Sequence, residues 1–261
     1  MTDAEDVVGG HTRSELARIA REEIPGDANP GFAAVSGSHR YGWADESSDV
    51  DLRGFHVADG RRYALLDTPA EQVTATFGSP GRDVADVDFV SYELRKFGML
   101  VADRNFNALE TLFDGGVVLE EKPRRLDDLR GLVADRLPMD VPARYAGMAR
   151  SNRDAAAPGG SVKRCLYAVR GLLAANYVAE HGEIEADVRV LSEAVIGDTG
   201  LVDDLIVAKQ SESDARLDRG LANRANAVLD DLERSEWPAR DEPGSFRRAV
   251  DEWMRVTRDW A

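Results

Sequence analysis

An apolar run over residues 31–35 stops at Gly37-Ser38, and a second, reaching Val57, opens on two carboxylates one residue apart, Asp49 and Asp51. The arrangement predicts a strand, a tight turn and a second strand. Alternate side chains of a strand share a face, so Asp49 and Asp51 point one way while Val50 and Leu52 point into the packed side. Carboxylates placed that close repel each other. A divalent cation between them removes the repulsion, and oxygen ligands of this kind suit Mg²⁺ or Mn²⁺. Gly37 has no Cβ, so a triphosphate can approach the backbone there, with the Ser38 hydroxyl and exposed N–H groups donating to its oxygens.

A D-x-D pair alone carries little weight in a chain with 48 acidic residues. Order, spacing and flanking strands give it more. Gly37-Ser38-His39-Arg40-Tyr41-Gly42, followed by Ser48-Asp49-Val50-Asp51-Leu52-Arg53-Gly54, resembles the signature of the DNA polymerase β-like nucleotidyltransferase superfamily. Within it, the fuller string resembles the RNA repair pathway DNA polymerase β family. That pattern implies a third carboxylate on a later strand, for which Asp83, Asp86 and Asp88 stand in suitable positions. The segment from Asp88 through Phe89-Val90-Ser91-Tyr92-Glu93-Leu94-Arg95-Lys96 resembles the family's D-(hydrophobic)-V-G-W-E-L-R-K element, and so the resemblance selects Asp88. Asn105, Asn107 and Glu110 resemble its N-P-x-x-L-E element with Phe106 in place of proline; Asn107 with Glu110 also reads as a helix cap.

The chain carries a net charge of −15, yet over residues 141–171 Arg144, Arg150, Arg153, Lys163, Arg164 and Arg170 face one acid, Asp154. That local surplus reads as an anion-binding face. Lys163, Tyr167 and Arg170 fall at i, i+4 and i+7 on one side of a predicted helix and resemble the family's K-Y-L-Y-A-L-R segment. The resemblance implies transfer of a nucleoside monophosphate from an NTP to a hydroxyl acceptor, with an RNA 3′ end favoured. Asp49, Asp51 and Asp88 would hold Mg²⁺ or Mn²⁺ and carry catalysis. Gly37, Ser38, Arg40, Lys163, Tyr167 and Arg170 would bind the nucleotide. The rival reading is a non-catalytic nucleotide-binding or antitoxin-like regulatory protein that keeps the fold. A haloacid-type phosphatase fits poorly, because its D-x-D follows an apolar strand directly, whereas Ala44-Asp45-Glu46-Ser47-Ser48 precedes Asp49 here.

A helix is predicted from Thr12, with Leu16, Ile19, Ala20 and Ile24 at helical spacing, and strands at 32–35, 50–57, 72–77 and 84–90. The clearest turn is Gly78-Ser79-Pro80-Gly81. Residues 115–119 read as a short apolar turn. Helices are expected at 123–137, 142–157, 161–180, 186–196, 201–211, 215–233 and 245–259. The expected fold class is α+β: a small mixed-sheet, polymerase β-like nucleotidyltransferase domain over residues 1–122, followed by an all-helical domain over 123–261. No apolar run approaches the roughly 18 residues that span a bilayer, and the start is acidic, so no membrane partner and a cytoplasmic location are expected. The single cysteine, Cys165, excludes an internal disulfide framework and reads as a core thiol.

Lysine occurs only at Lys96, Lys122, Lys163 and Lys209, so arginine supplies nearly all the cations against abundant Asp and Glu. This balance is that of a salt-adapted protein. Stability is therefore expected to rise from low to molar KCl, as screening relieves self-repulsion. Thermal melts across a KCl series check this, and a flat Tm would remove the salt-adaptation reading.

Overall fold

The apolar runs on either side of the Gly37 turn become neighbouring strands of one five-stranded sheet. The computed structural model describes residues 7–78, 84–113, 115–212, 214–234, 236–237 and 244–258. Asp83, Trp260 and most of the turn expected at 78–81 lie outside them. The described residues of Met1–Arg40, Ala44–Leu132 and Glu242–Ala261 form one compact unit, and those of Tyr41–Trp43 and Val133–Asp241 a second.

In the first unit, Val7–Val8 (β1) and His11–Thr12 (β2) form a small antiparallel hairpin that leads straight into Arg13–Glu22 (α1). Thr12 closes a capping box: its Oγ1 accepts from Glu15 N, while its own N–H donates to Glu15 Oε2 at 2.9 Å. Ala28–Ser36 (β3) is followed by the single turn Ser38–Tyr41 (α2), then Val50–Ala58 (β4), Gln72–Phe77 (β5) and Val87–Glu93 (β6). Leu94–Ala102 (α3), Phe106–Phe113 (α4) and Gly116–Glu120 (β7) complete the sheet unit before Pro123–Ala134 (α5). The strand order is β5-β6-β4-β3-β7, with β4 and β6 parallel and every other pairing antiparallel.

Two expectations need correction here. Residues 116–120 are not a turn: they pair with the edge of β3, Leu119 opposite Ala33 and Val117 opposite Ala34. An apolar run this short carries no periodicity that separates the two states, and the open edge of β3 decides the matter by pairing its backbone groups. The strand expected at 84–90 begins three residues later, because Ala85 and Asp86 make loop hydrogen bonds to Gly9 and Val50.

In the second unit, Leu137–Asp140 (α6), Pro142–Asn152 (α7), Val188–Ile196 (α9), Gly200–Ser211 (α10) and Arg219–Leu232 (α11) surround Val162–His181 (α8). Ser161 caps the start of α8, and Gly182, at φ +70°, ends it in the left-handed conformation. Cys165, Leu166, Val169, Leu172, Leu173 and Val178 are all buried, so α8 is apolar on most of its circumference and serves as the core. Burial pushes the Cys165 thiol up to about 11, the behaviour of a packed and unreactive cysteine. Trp43 is fully buried in this unit, edge-on to Tyr167 at 5.4 Å, and its carbonyl accepts from Lys209 Nζ at 3.3 Å. Among the described residues no helix is long and apolar enough to cross a membrane.

The last described helix, Ser245–Arg258 (α12), belongs to the sheet unit and not to the helical domain expected over 123–261. One sheet face is closed by Leu16, Ile19 and Ala20 of α1 against Ala33, Val35, Val50, Leu52, Val87 and Phe89. On the other face Phe55 meets Phe97 of α3 at 4.8 Å and Trp253 of α12 at 6.0 Å. Phe246, Val250, Trp253 and Thr257 make one buried stripe along α12, and Trp253 Nε1 donates to Arg125 O at 2.6 Å. Sequence distance is no obstacle to such docking when both faces of a sheet need cover. Trp253→Ala is expected to lower stability by about 3 kcal/mol, whereas Leu66→Ala, at a fully exposed side chain, should change it by less than about 0.5 kcal/mol. Urea denaturation followed by far-ultraviolet circular dichroism checks both; equal small effects would show that α12 does not support the sheet.

Candidate active site

Ser36, at the end of β3, is the register partner of Asp51 on β4, and Asp51 is the partner of Asp88 on β6. Thr76 of β5 completes the row opposite Asp88. Because neighbouring strands lie about 4.8 Å apart, this register sets two carboxylates side by side on the face opposite α1. Gly37 follows Ser36 at φ +66°, and a Cβ there would collide with Asp51 Oδ2. The missing side chain is what lets the Asp51 carboxylate lie against the turn. The chain then makes the single turn of α2, with Arg40 N donating to Gly37 O at 2.9 Å.

The loop back to β4 is held by its own side chains. Asp45 Oδ1 accepts from Ser47 N at 2.9 Å, Ser47 Oγ at 2.7 Å and Ser48 Oγ at 3.1 Å. Ala44 N donates to Ser38 O at 3.1 Å, and His39 Nε2 lies 3.3 Å from Ser48 O. This fixed loop delivers Asp49, exposed, immediately before β4.

Arg53 shares the face of Asp51, two residues along the strand. Its Nη2 donates to Asp51 Oδ1 at 2.6 Å and to Asp88 Oδ2 at 2.9 Å, and its Nη1 donates to the Asp88 carbonyl at 2.6 Å. One guanidinium therefore spans both carboxylates. Burial holds the Asp51 carboxyl above its ordinary range; Arg53 and His39 pull it down, while Asp88 and Asp49 push it up. Arg53 stands within the motif quoted above, and strand alternation was the signal that it would reach Asp51. Its bridge to Asp88 depends on strand order, which the local sequence does not contain.

The donor set is all carboxylate, which fits a hard divalent cation in kind, and Arg53 already stands in for a cation at two of the three groups. Among the described residues, no group of three His, Cys, Asp or Glu is drawn together as a metal-holding array. Asp86 is exposed, and its carbonyl accepts from Val50 N at 2.8 Å. Asn105, not Asn107, caps α4: its Oδ1 accepts from Ala108 N at 3.2 Å, which leaves Phe106 at the first helical position, where proline is well tolerated.

The remaining residues named from sequence are placed elsewhere. Arg40 lines a cavity of about 410 Å³ together with Arg13, His39 and Val117. Lys163, Tyr167 and Arg170 belong to α8 of the helical unit. Lys163 is exposed there, and Tyr167 stands edge-on to Tyr41 at 6.2 Å. Arg170 is fully buried, its Nε donating to Ala186 O at 2.9 Å and its guanidinium lying 3.8 Å from the Tyr41 ring centroid. The i, i+4, i+7 spacing does not keep all three in solvent, because α8 is enclosed on most sides. Two cations of the basic surplus over residues 141–171 are met by distant acids: Arg150 pairs with Glu233, just past the end of α11, and Arg153 with Asp230 of α11, both at 2.5 Å.

Comparison with known proteins gives distant relatives. The chain is 28% identical over 174 residues to the uncharacterized protein YcgL of Bacillus subtilis (strain 168), covering 65% of this chain and 64% of that one. It is 27% identical over 164 residues to the uncharacterized protein MJ0002 of Methanocaldococcus jannaschii, covering 60% and 63%. The matches span just under two thirds of the length of these curated relatives. A crystal structure of a nucleotidyltransferase-like protein from Exiguobacterium sibiricum aligns over 94% of this chain and 80% of that chain, at 13% identity and a TM-score of 0.31. The family model RlaP matches residues 8–256, which takes in the turn, all three aspartates and the helical unit, and on that match the chain belongs to the RNA repair pathway DNA polymerase beta family.

Proposed function

We propose that the protein is a metal-dependent nucleotidyltransferase that moves a nucleoside monophosphate from an NTP to a hydroxyl acceptor, with an RNA 3′ end as the acceptor we favour, since its family is described by RNA repair. The observation that carries this reading is the register of β4 and β6, which sets Asp51 beside Asp88 behind the positive-φ turn at Gly37. Asp49, Asp51 and Asp88 are the groups assigned to Mg²⁺ or Mn²⁺, which when bound would neutralise the triphosphate and the charge that develops on it during transfer.

The roles of the chain follow from where its groups stand. The turn at Gly37 and Ser38 offers backbone N–H groups to triphosphate oxygens. Asp88 accepts the proton of the acceptor hydroxyl as its oxygen bonds to the α-phosphorus; the bond from that phosphorus to the β-phosphate oxygen breaks, and pyrophosphate leaves. Arg53 keeps Asp51 and Asp88 oriented and their repulsion neutralised before substrate arrives. A non-catalytic nucleotide-binding or antitoxin-like partner is the second reading, and the same guanidinium favours it, since the two carboxylates already have a counter-ion.

Labelled NTPs, Mg²⁺ or Mn²⁺ and a panel of RNAs test the proposal. The wild type is expected to transfer nucleotide, and Asp49→Asn or Asp51→Asn to lower transfer by about 100-fold or more, about 2.7 kcal/mol in the barrier. Glu46→Gln, exposed in the same loop, is the control. Full transfer by Asp49→Asn would sink the mechanism, and a wild type that binds NTP without transferring would favour the second reading. Arg53→Ala gives a readout that needs no turnover. It leaves two partly exposed carboxylates without their shared cation, so the metal-free protein should lose about 1 kcal/mol, and Mn²⁺ should restore more stability to the variant than it adds to the wild type. Identical Mn²⁺ responses would separate Arg53 from the cation site.

A further inference from the structure

The docking of α12 on the sheet turns a second stripe of that helix outward. Positions 247, 251, 254, 255 and 258 recur at helical spacing, and with α3 and Tyr63 they line a cleft of about 520 Å³. Tyr63 and Arg258 of its lining both donate to Glu93, at the opposite end of β6 from Asp88. Arg95, Arg247, Arg255 and Arg258 line its walls with Asp251, and Asp103, Glu252 and Glu93 pair with three of these arginines, which among the described residues leaves Arg95 as the uncommitted cation.

The four arginines are not equally committed. Arg258 is fixed: it donates to Ala58 O and to Glu93 Oε1, both at 2.9 Å, and lies 4.9 Å from the Tyr63 ring centroid. Glu93 is 1% exposed and also accepts from Tyr63 Oη at 2.5 Å, so that charge is matched within the protein. Arg255 and Arg247 instead pair with Glu252 and Asp103 through side chains that are more than half exposed. Exposed pairs of this kind contribute little, and a phosphate can replace them at small cost. Arg95 is exposed at the start of α3 and makes no side-chain hydrogen bond or ion pair among the described residues. The apolar part of the wall is Met99 with Met254, which presses so closely on Gly98 that a Cβ there would collide with its Sδ. Thioethers make an adaptable surface for a flat apolar body.

We infer that this cleft binds a nucleotide phosphate together with its base, carried either on a free nucleotide or on single-stranded RNA, with Arg95, Arg247 and Arg255 on the phosphate and Met99 and Met254 against the base. The inference is independent of catalysis at the carboxylates. Fluorescence anisotropy of a labelled short RNA in EDTA, with AMP and inorganic phosphate as competitors and a KCl series, is the test. The wild type should bind, Arg95→Glu/Arg255→Glu should bind about tenfold or more weakly, and the salt slope should fall by about two counterions. Arg95→Ala, which orphans no partner, serves if the double variant misfolds. Competition by AMP as strong as by unlabelled RNA identifies a free nucleotide as the source; much stronger competition by RNA identifies the strand. Unchanged affinity in the variants overturns the inference, as does competition by phosphate alone equal to that by AMP, or tighter binding of a polyglutamate peptide than of RNA.

Discussion

Asp51 and Asp88 face each other because β4 and β6 run parallel in register, and that pairing places two negative charges closer than either would choose in water. A site of this kind holds only if something positive is supplied. Arg53 supplies it here, from the same strand face and with hydrogen bonds to both carboxylates. Burial, ahead of the two like charges, holds the Asp51 carboxyl above its ordinary range against the pull of Arg53. The rest of the sheet unit serves to hold the strands in that register.

Holding the register requires cover on both sheet faces. The α1 side does this along the whole strand through Val50, Leu52, Val87 and Phe89. On the opposite side Phe55 meets α3 and α12 at one end, and Asp51 and Arg53 stand partly exposed at the other. Alternation makes both ends of β4 face the same way, so one strand carries the anchor of the C-terminal helix and the carboxylate of the site. What fixes Phe55 therefore also fixes the position of Asp51.

Local signals in the chain were sufficient wherever the physics was local. The Gly37-Ser38 turn, the D-x-D alternation, the helix that begins at Thr12 and the breaks at Gly182 and Gly197 all follow from backbone sterics and side-chain periodicity within a few residues. The choice of Asp88 over Asp86 rested on a resemblance, and the structure adds a register row that puts Asp88 next to Asp51 and leaves Asp86 exposed in a loop. Net charge over a window leaves out distant partners: Arg150 and Arg153 are balanced by Glu233 and Asp230, about 80 residues away in sequence and adjacent in space.

What the sequence by itself determined was the strand–turn–strand unit with its paired aspartates and the change from period two to helical spacing, because each depends only on neighbours along the chain. Tertiary structure alone decided that residues 116–120 form an edge strand, that Arg53 bridges Asp51 to Asp88, that Arg170 lies in a core, and that α12 returns to the sheet. Each of those outcomes is set by a surface or charge contributed by a distant segment, and the free energy of covering an open edge, an apolar face or a repelling pair does not exist until those segments meet.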